Sequence, residues 1–126
     1  MYCLDTNIIV AFLRGDDAIA EKIAGSQICI TWLTVCELYR GIFLSKQAVA
    51  NKAQLERFLE VVEILNFSQA ACELYGTLYK TLKNTGLPTQ DMDLLISALC
   101  MANNKMIVTR NIKDFKNIPN LKVISW

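Results

Sequence analysis

The 126-residue sequence has no histidine, only two prolines and five glycines, and no apolar run approaching the roughly 18–20 residues of a membrane span. Without histidine, any proton transfer or metal binding must rely on carboxylates, amides, hydroxyls, thiols or amines. With no Pro/Gly-rich linker, repeat or low-complexity tract, nothing marks a domain boundary, and the whole of 1–126 reads as one domain. The opening Met1-Tyr2-Cys3-Leu4-Asp5 lacks a basic segment and a small-residue cleavage site, which reads against secretion. The cysteines (Cys3, Cys29, Cys36, Cys72 and Cys100) are odd in number and form no C-x-x-C pair. They are expected to be small core residues in a reducing, cytoplasmic setting rather than disulfides or zinc ligands.

What is present is a strongly apolar chain. Its 53% hydrophobic and 20% charged residues fit an ordered globule with a real core rather than a disordered tail. The net charge of +1 decides nothing, but its distribution is uneven. Lys105, Arg110, Lys113, Lys116 and Lys122 face a single acid, Asp114, over the last 22 residues. Such a segment is either a patch for a polyanion or a solvated face.

Short β-type runs occur at 1–5, 27–31, 61–66, 106–109 and 122–125, with helical patterns at 7–14, 16–24, 33–45, 48–60, 68–84 and 91–103. Strands such as Ile28-Cys29-Ile30 and Met106-Ile107-Val108 are apolar on both faces, as buried parallel strands are. The alternation predicts an α/β fold with a mostly parallel sheet and helices on both faces. Residues 85–89 are the clearest loop. Ligands in such folds bind beyond the carboxyl ends of the strands.

Three acids lie in apolar surroundings: Asp5 after Tyr2-Cys3-Leu4, Glu37 inside Val35-Cys36-Glu37-Leu38-Tyr39, and Asp93 before Leu94-Leu95-Ile96. A desolvated, unpaired carboxylate costs several kcal/mol, and gathering three adds mutual repulsion unless a cation sits among them. An all-oxygen site for Mg²⁺ or Mn²⁺ would account for the set. Local alternatives exist for each. Asp5-Thr6-Asn7 can cap a helix, or Thr6 and Asn7 can orient Asp5. Glu37 shares a polar stripe with Thr34 and Gly41, or pairs with Arg40 on a solvent face. Asp91 and Asp93 point about 160° apart on a helix, so one acid with Ser97 one turn on is expected at the ion and Asp91 at a capping position. Asn111 and Asp114, spaced i, i+3, either reach the same crevice or lie in a solvated turn.

Taken in order, these segments resemble the PIN-domain family, and within it the VapC-type toxins of toxin–antitoxin pairs. The resemblance rests on Leu4-Asp5-Thr6-Asn7, Glu37-Leu38-Tyr39-Arg40-Gly41, Asp93-Leu94-Leu95-Ile96-Ser97-Ala98 and Val108-Thr109-Arg110-Asn111-Ile112-Lys113-Asp114-Phe115, closed by 118–126. It implies a five-stranded sheet, a Mg²⁺- or Mn²⁺-dependent endoribonuclease, a homodimer and a VapB-like antitoxin as inhibitor. Asp5, Glu37 and Asp93 match the family's metal-binding acids. Asn111 stands where many relatives carry a fourth acid, with Asp114 the nearby substitute. Thr6, Asn7, Ser97 and Asn111 would support the site, and Arg110, Lys113 and Lys116 would contact RNA. Two other readings are a catalytically inactive PIN fold that only binds, and a phosphoacceptor receiver domain. The receiver needs an aspartate ending its central strand, whereas 61–66 ends in Leu65-Asn66.

Overall fold

The computed structural model describes residues 1–87 and 89–126; Pro88, in the expected 85–89 loop, lies outside the described residues. Strand β1 (Tyr2–Leu4) leads to helices α1 (Thr6–Leu13) and α2 (Asp17–Ala24). Strand β2 (Ile28–Thr31) is followed by α3 (Trp32–Phe43) and α4 (Ala48–Leu59), and β3 (Glu63–Leu65) by α5 (Gln69–Thr85) and α6 (Asp91–Ala102). Then come β4 (Met106–Val108), a 3₁₀ turn at Ile112–Asp114, and β5 (Val123–Ile124).

Local chemistry sets the helix starts. Asp5, Asp16, Thr31 and Ser68 each accept a first-turn backbone N–H at the N-termini of α1, α2, α3 and α5. Gly86, at φ 69°, ends α5 in the left-handed conformation that favours glycine, so the expected loop begins one residue later than 85.

The strands pair in the order β3-β2-β1-β4-β5, and every pairing among the described residues is parallel. Residues alternate between faces. Cys3, Cys29, Leu65 and Ile107 pack with α5 and α6 around Leu82, Leu94, Leu99 and Phe115. Leu4, Ile30 and Val108 pack on the other face with α1 to α4 around Ile8, Ile19, Val35, Leu55 and Phe58. Each such Leu, Ile or Phe contributes about 1.5–3 kcal/mol by leaving water.

Three expectations need correction. Cys3, Cys29 and Cys100 are core residues, but Cys36 and Cys72 are exposed, because they lie on the outer faces of α3 and α5. Cys3 and Cys29 are held as neutral thiols: a hydrogen bond with Cys100 pushes Cys3 well up, and the bond with Cys3 does the same for Cys29. The run from Lys105 to Lys122 is not one patch either. Lys105 and Lys122 immediately precede β4 and β5, at the opposite end of the sheet from Arg110. The receiver reading also fails on topology, since β3 is an edge strand and β1 the central one.

From β1 the chain steps outward through β2 to β3, then crosses back to β4 and β5. The direction of winding therefore reverses between β1 and β4, whose following segments diverge and open a crevice above their carboxyl ends.

Candidate active site

Asp5 stands at that divergence and serves two roles that the sequence offered as alternatives. Its Oδ1 accepts the Thr6 backbone N–H at 2.9 Å, capping α1, while Oδ2 accepts the Thr109 hydroxyl at 2.8 Å from the end of β4. Burial pushes its pKa up, and the two donors offset part of that rise. Thr109 is fully buried and acts as the hub. Its oxygen also accepts from Asn7 Nδ2 at 3.2 Å and from the Asn111 backbone N–H at 3.0 Å. Asn7 completes the tie by accepting the Arg110 backbone N–H at 3.1 Å.

Glu37 reaches the same crevice from α3. The Thr6 hydroxyl donates to its Oε1 at 3.2 Å, and burial, then nearby Asp5, raise its pKa. The alternative Arg40 pair is present only loosely, at 3.9 Å with the arginine side chain 70% exposed, so it contributes at most a few tenths of a kcal/mol. Thr34 leaves the expected stripe: it is buried and bonded to Thr31 Oγ1, whereas Gly41 stays exposed beyond Glu37.

Asp93, in the first turn of α6, is the most strained of the acids. Burial, followed by repulsion from Asp5, Asp114 and Glu37, pushes its pKa up to about 6. Asp5 and Glu37 each receive hydroxyl donors; among the described residues no donor of the chain reaches the Asp93 carboxylate. Ser97 does not support that carboxylate as expected. Its buried hydroxyl donates back to the Asp93 carbonyl at 2.6 Å, closing a helical turn instead. Asp91 is not a cap either: Gln90 holds that position, and Asp91 accepts the Tyr75 hydroxyl at 2.5 Å on the outer side, away from the crevice. That bond raises the Tyr75 pKa to about 12.

Asp5, Glu37, Asp93, Asp114 and Asn111 all line one crevice of about 780 Å³, although no carboxylate group among the described residues closes into a ready-made cage. The acids stand within electrostatic reach of one another and offer oxygen donors only, and no ion pair among the described residues involves Asp93. That donor set fits a hard divalent cation. Asn111 contributes its backbone N–H to Thr109, and Asp114 supplies the acid on that side.

Cations flank the acids. Arg110 lines the crevice with its guanidinium 2.8 Å from Asp16 Oδ2, which holds Asp16 below the usual carboxylate range. Lys113 and Lys116 line an adjoining hollow that shares Gln90, Asp93 and Asp114 with the crevice. Arg14, Asp16, Gln90 and the Thr109 hub were not singled out as site residues from the sequence. The available signals were faint: a polar residue ending an apolar strand for Thr109, and Arg14-Gly15-Asp16 as the turn following α1. A second cleft of about 410 Å³ opens beside Glu37 between α1, α3 and α4.

A parallel sheet with this strand order and an acid-lined crevice at its reversal point defines a recognisable class of protein. The PIN domain model matches residues 2–121, and the chain belongs to the PIN-domain family. Among its relatives, Ribonuclease VapC2 of Rickettsia felis is 37% identical over 131 aligned positions, covering all of this chain and 98% of that one. The tRNA(fMet)-specific endonuclease VapC of Shigella flexneri is 27% identical across 99% of this chain and 97% of its own. A crystal structure of VapBC2 from Rickettsia felis, bound to a DNA fragment from the promoter, superposes with a TM-score of 0.91 at 35% identity, over 99% of this chain and 98% of that one.

Proposed function

We propose that the chain is a Mg²⁺- or Mn²⁺-dependent endoribonuclease acting at this crevice, and the toxin of a VapBC-type toxin–antitoxin pair. The VapC ribonucleases aligned along their whole length support the activity, and the VapBC2 complex supports a VapB-like antitoxin as partner. The observation that carries the metal dependence is Asp93, a half-buried carboxylate that no donor reaches among the described residues, facing three further acids. A fold that only bound RNA would gain nothing from that repulsion, which disfavours the inactive alternative.

Asp5, Glu37 and Asp93 would hold the cation, with Asp114 opposite. Bound there, a divalent ion supplies Lewis-acid polarisation of a phosphoryl oxygen and lowers the pKa of water, tasks for which this chain has no histidine. The chain's own residues do the positioning. Thr109 and the Thr6 N–H each engage one oxygen of Asp5, fixing its carboxylate plane while leaving lone pairs for the crevice. The Thr6 hydroxyl does the same for Glu37. Asn7 and Asp16 hold Arg110 at one rim, with Lys113 and Lys116 at the other, so a phosphodiester backbone crossing the acids meets cations on both sides. We place the protein in the cytoplasm, where RNA is available and its five unpaired thiols stay reduced. No helix among the described residues is long and apolar enough to cross a membrane. A homodimer is part of this proposal, with residues 48–84, which expose Val49, Val61 and Tyr79, as the contact region.

The test is cleavage of small structured RNAs by the purified chain. Activity should vanish on chelation, return with Mg²⁺ or Mn²⁺, and be lost in Asp5→Asn, Glu37→Gln and Asp93→Asn. Cleavage that persists in chelator, or in all three variants, rules the mechanism out.

A further inference from the structure

The second cleft is not needed to hold an ion, and its construction asks for an occupant. It shares Thr6, Val10, Arg14 and Glu37 with the acid crevice, so the two hollows adjoin, with Glu37 and Arg14 at the junction. Leu13, Leu38 and Ile42 give it an apolar lining. Asn51 and Gln54 add two side-chain amides, whose NH₂ groups are already used, donating to Ser45 Oγ at 3.2 Å and to the Leu13 carbonyl at 2.6 Å. Their amide oxygens meet no donor of the chain among the described residues.

Gly41 is the second observation. It lies inside α3, where glycine is the least favourable residue after proline. A Cβ built there would meet no described atom within 4 Å, so the face of α3 at Gly41 is open toward the cleft that it lines. Arg14 is the third. The ion pairs among the described residues are Arg40–Glu37, Lys52–Glu56 and Arg110–Asp16, which leave the Arg14 guanidinium at the junction without an anion.

We propose that this cleft is a nucleoside subsite, receiving the base next to the scissile phosphate while Arg14 binds the phosphate that links them. The inference rests on the ribonuclease reading above and extends it to how the substrate is gripped. A volume of about 410 Å³ lies within the roughly 300–1,000 Å³ of sites for small organic groups. It suits a flat base between aliphatic walls, with amide oxygens accepting from the base's N–H edge. An occupant entering from the acid crevice must be attached to the group bound there, as a nucleoside is to its phosphate.

The experiment uses the full chain, free of partner, with a short RNA that it cuts. The same RNA is also made with one abasic nucleotide on either side of the cut. Gly41→Leu fills the cleft while replacing a helix-weakening residue, and Gly41→Ala is the milder control; a thermal melt confirms that both fold. Gly41→Leu should lower kcat/KM on intact RNA by about tenfold or more, with Gly41→Ala between, and abasic substitution on one side should lower the native rate to a similar extent. Combined, the two losses should not multiply, because both remove one contact. Losses that multiply, or a Gly41→Leu protein that cuts intact RNA at the native rate, overturn the subsite. A variant that cuts normally but no longer binds its protein partner overturns it too, and assigns the cleft to a protein segment. If the native chain cuts no RNA, the ribonuclease reading itself falls before any variant is compared, and the subsite falls with it.

Discussion

Replacing Asp93 by Asn should stabilise the metal-free protein, and the crevice sets the size of the gain. An ordinary aspartate ionises near pH 4, whereas burial and three neighbouring acids push Asp93 up to about 6. At about 1.4 kcal/mol per pH unit that gap is worth about 3 kcal/mol, which solvent screening at a half-buried site reduces to about 1–2 kcal/mol. The N-terminal dipole of α6 favours a first-turn acid by about 0.3–1 kcal/mol, which offsets part of the gain without reversing it. A net of about 1 kcal/mol remains, or about 3–6 °C in Tm for a domain of this size. The sign follows from linkage. Below pH 4 the group is protonated folded and unfolded, so the substitution changes little. Between pH 4 and 6 the unfolded chain releases its proton first, so native stability falls as pH rises; above pH 6 the full penalty persists. The gain should therefore be absent at pH 4 and complete by pH 7.5. Thermal melts in chelator measure it, and adding Mg²⁺ or Mn²⁺ should raise the native Tm well above that of the variant. An Asp93→Asn protein that melts below native at pH 7.5 in chelator, or whose gain is undiminished at pH 4, refutes the reasoning.

Thr109→Val keeps the shape of the hub but removes its bonds to Asp5, Asn7 and the Asn111 N–H; it should cost about 1–3 kcal/mol and slow cleavage, with Thr109→Ser restoring most of both. Cleavage rates alongside denaturant melts decide it, and native activity in the valine variant would remove Thr109 from the site. Asp91→Asn should retain metal binding and cleavage, because its partner is Tyr75 on the outer side, while Asp91→Ala should cost about 0.5–1.5 kcal/mol in a melt. A dead Asp91→Asn enzyme would mean that the third acid is misassigned. Arg110→Gln should weaken RNA binding and reduce its salt dependence by about 0.7 in log–log slope, measured by titration at several ionic strengths. Sedimentation at micromolar concentration should find a dimer, and a monomer there would contradict the contact proposed for 48–84.

The elements were legible because each is written in local spacing. Strands apolar on both faces, such as Met106-Ile107-Val108, announce burial, and the helical pattern of 33–45 places Leu38 and Ile42 in the core on the same helix as Glu37. Asp5, Glu37 and Asp93 were legible for a related reason: an acid in an apolar segment needs compensation wherever the chain puts it. The same local logic misjudged Asp91, because capping is a short-range rule and the Tyr75 hydroxyl 16 residues away supplied a better partner. It misjudged Ser97 too, whose hydroxyl turned back to the carbonyl of its own helix. Cys36 and Cys72 show the limit of composition, since a small apolar residue follows whichever helix face it falls on.

What the sequence by itself determined is the set of elements and the acids that need a counter-charge, because both follow from interactions within a few residues. Only the tertiary structure decided that the winding reverses between β1 and β4, and so where the crevice opens. It alone brought Thr109 to Asp5 across 104 positions, paired Arg110 with Asp16, and set Arg14 and Gly41 beside the second cleft. No short-range signal encodes such pairings. They arise when the two faces of the sheet bury their apolar side chains together, and that packing fixes the strand order that sets the polar groups opposite one another.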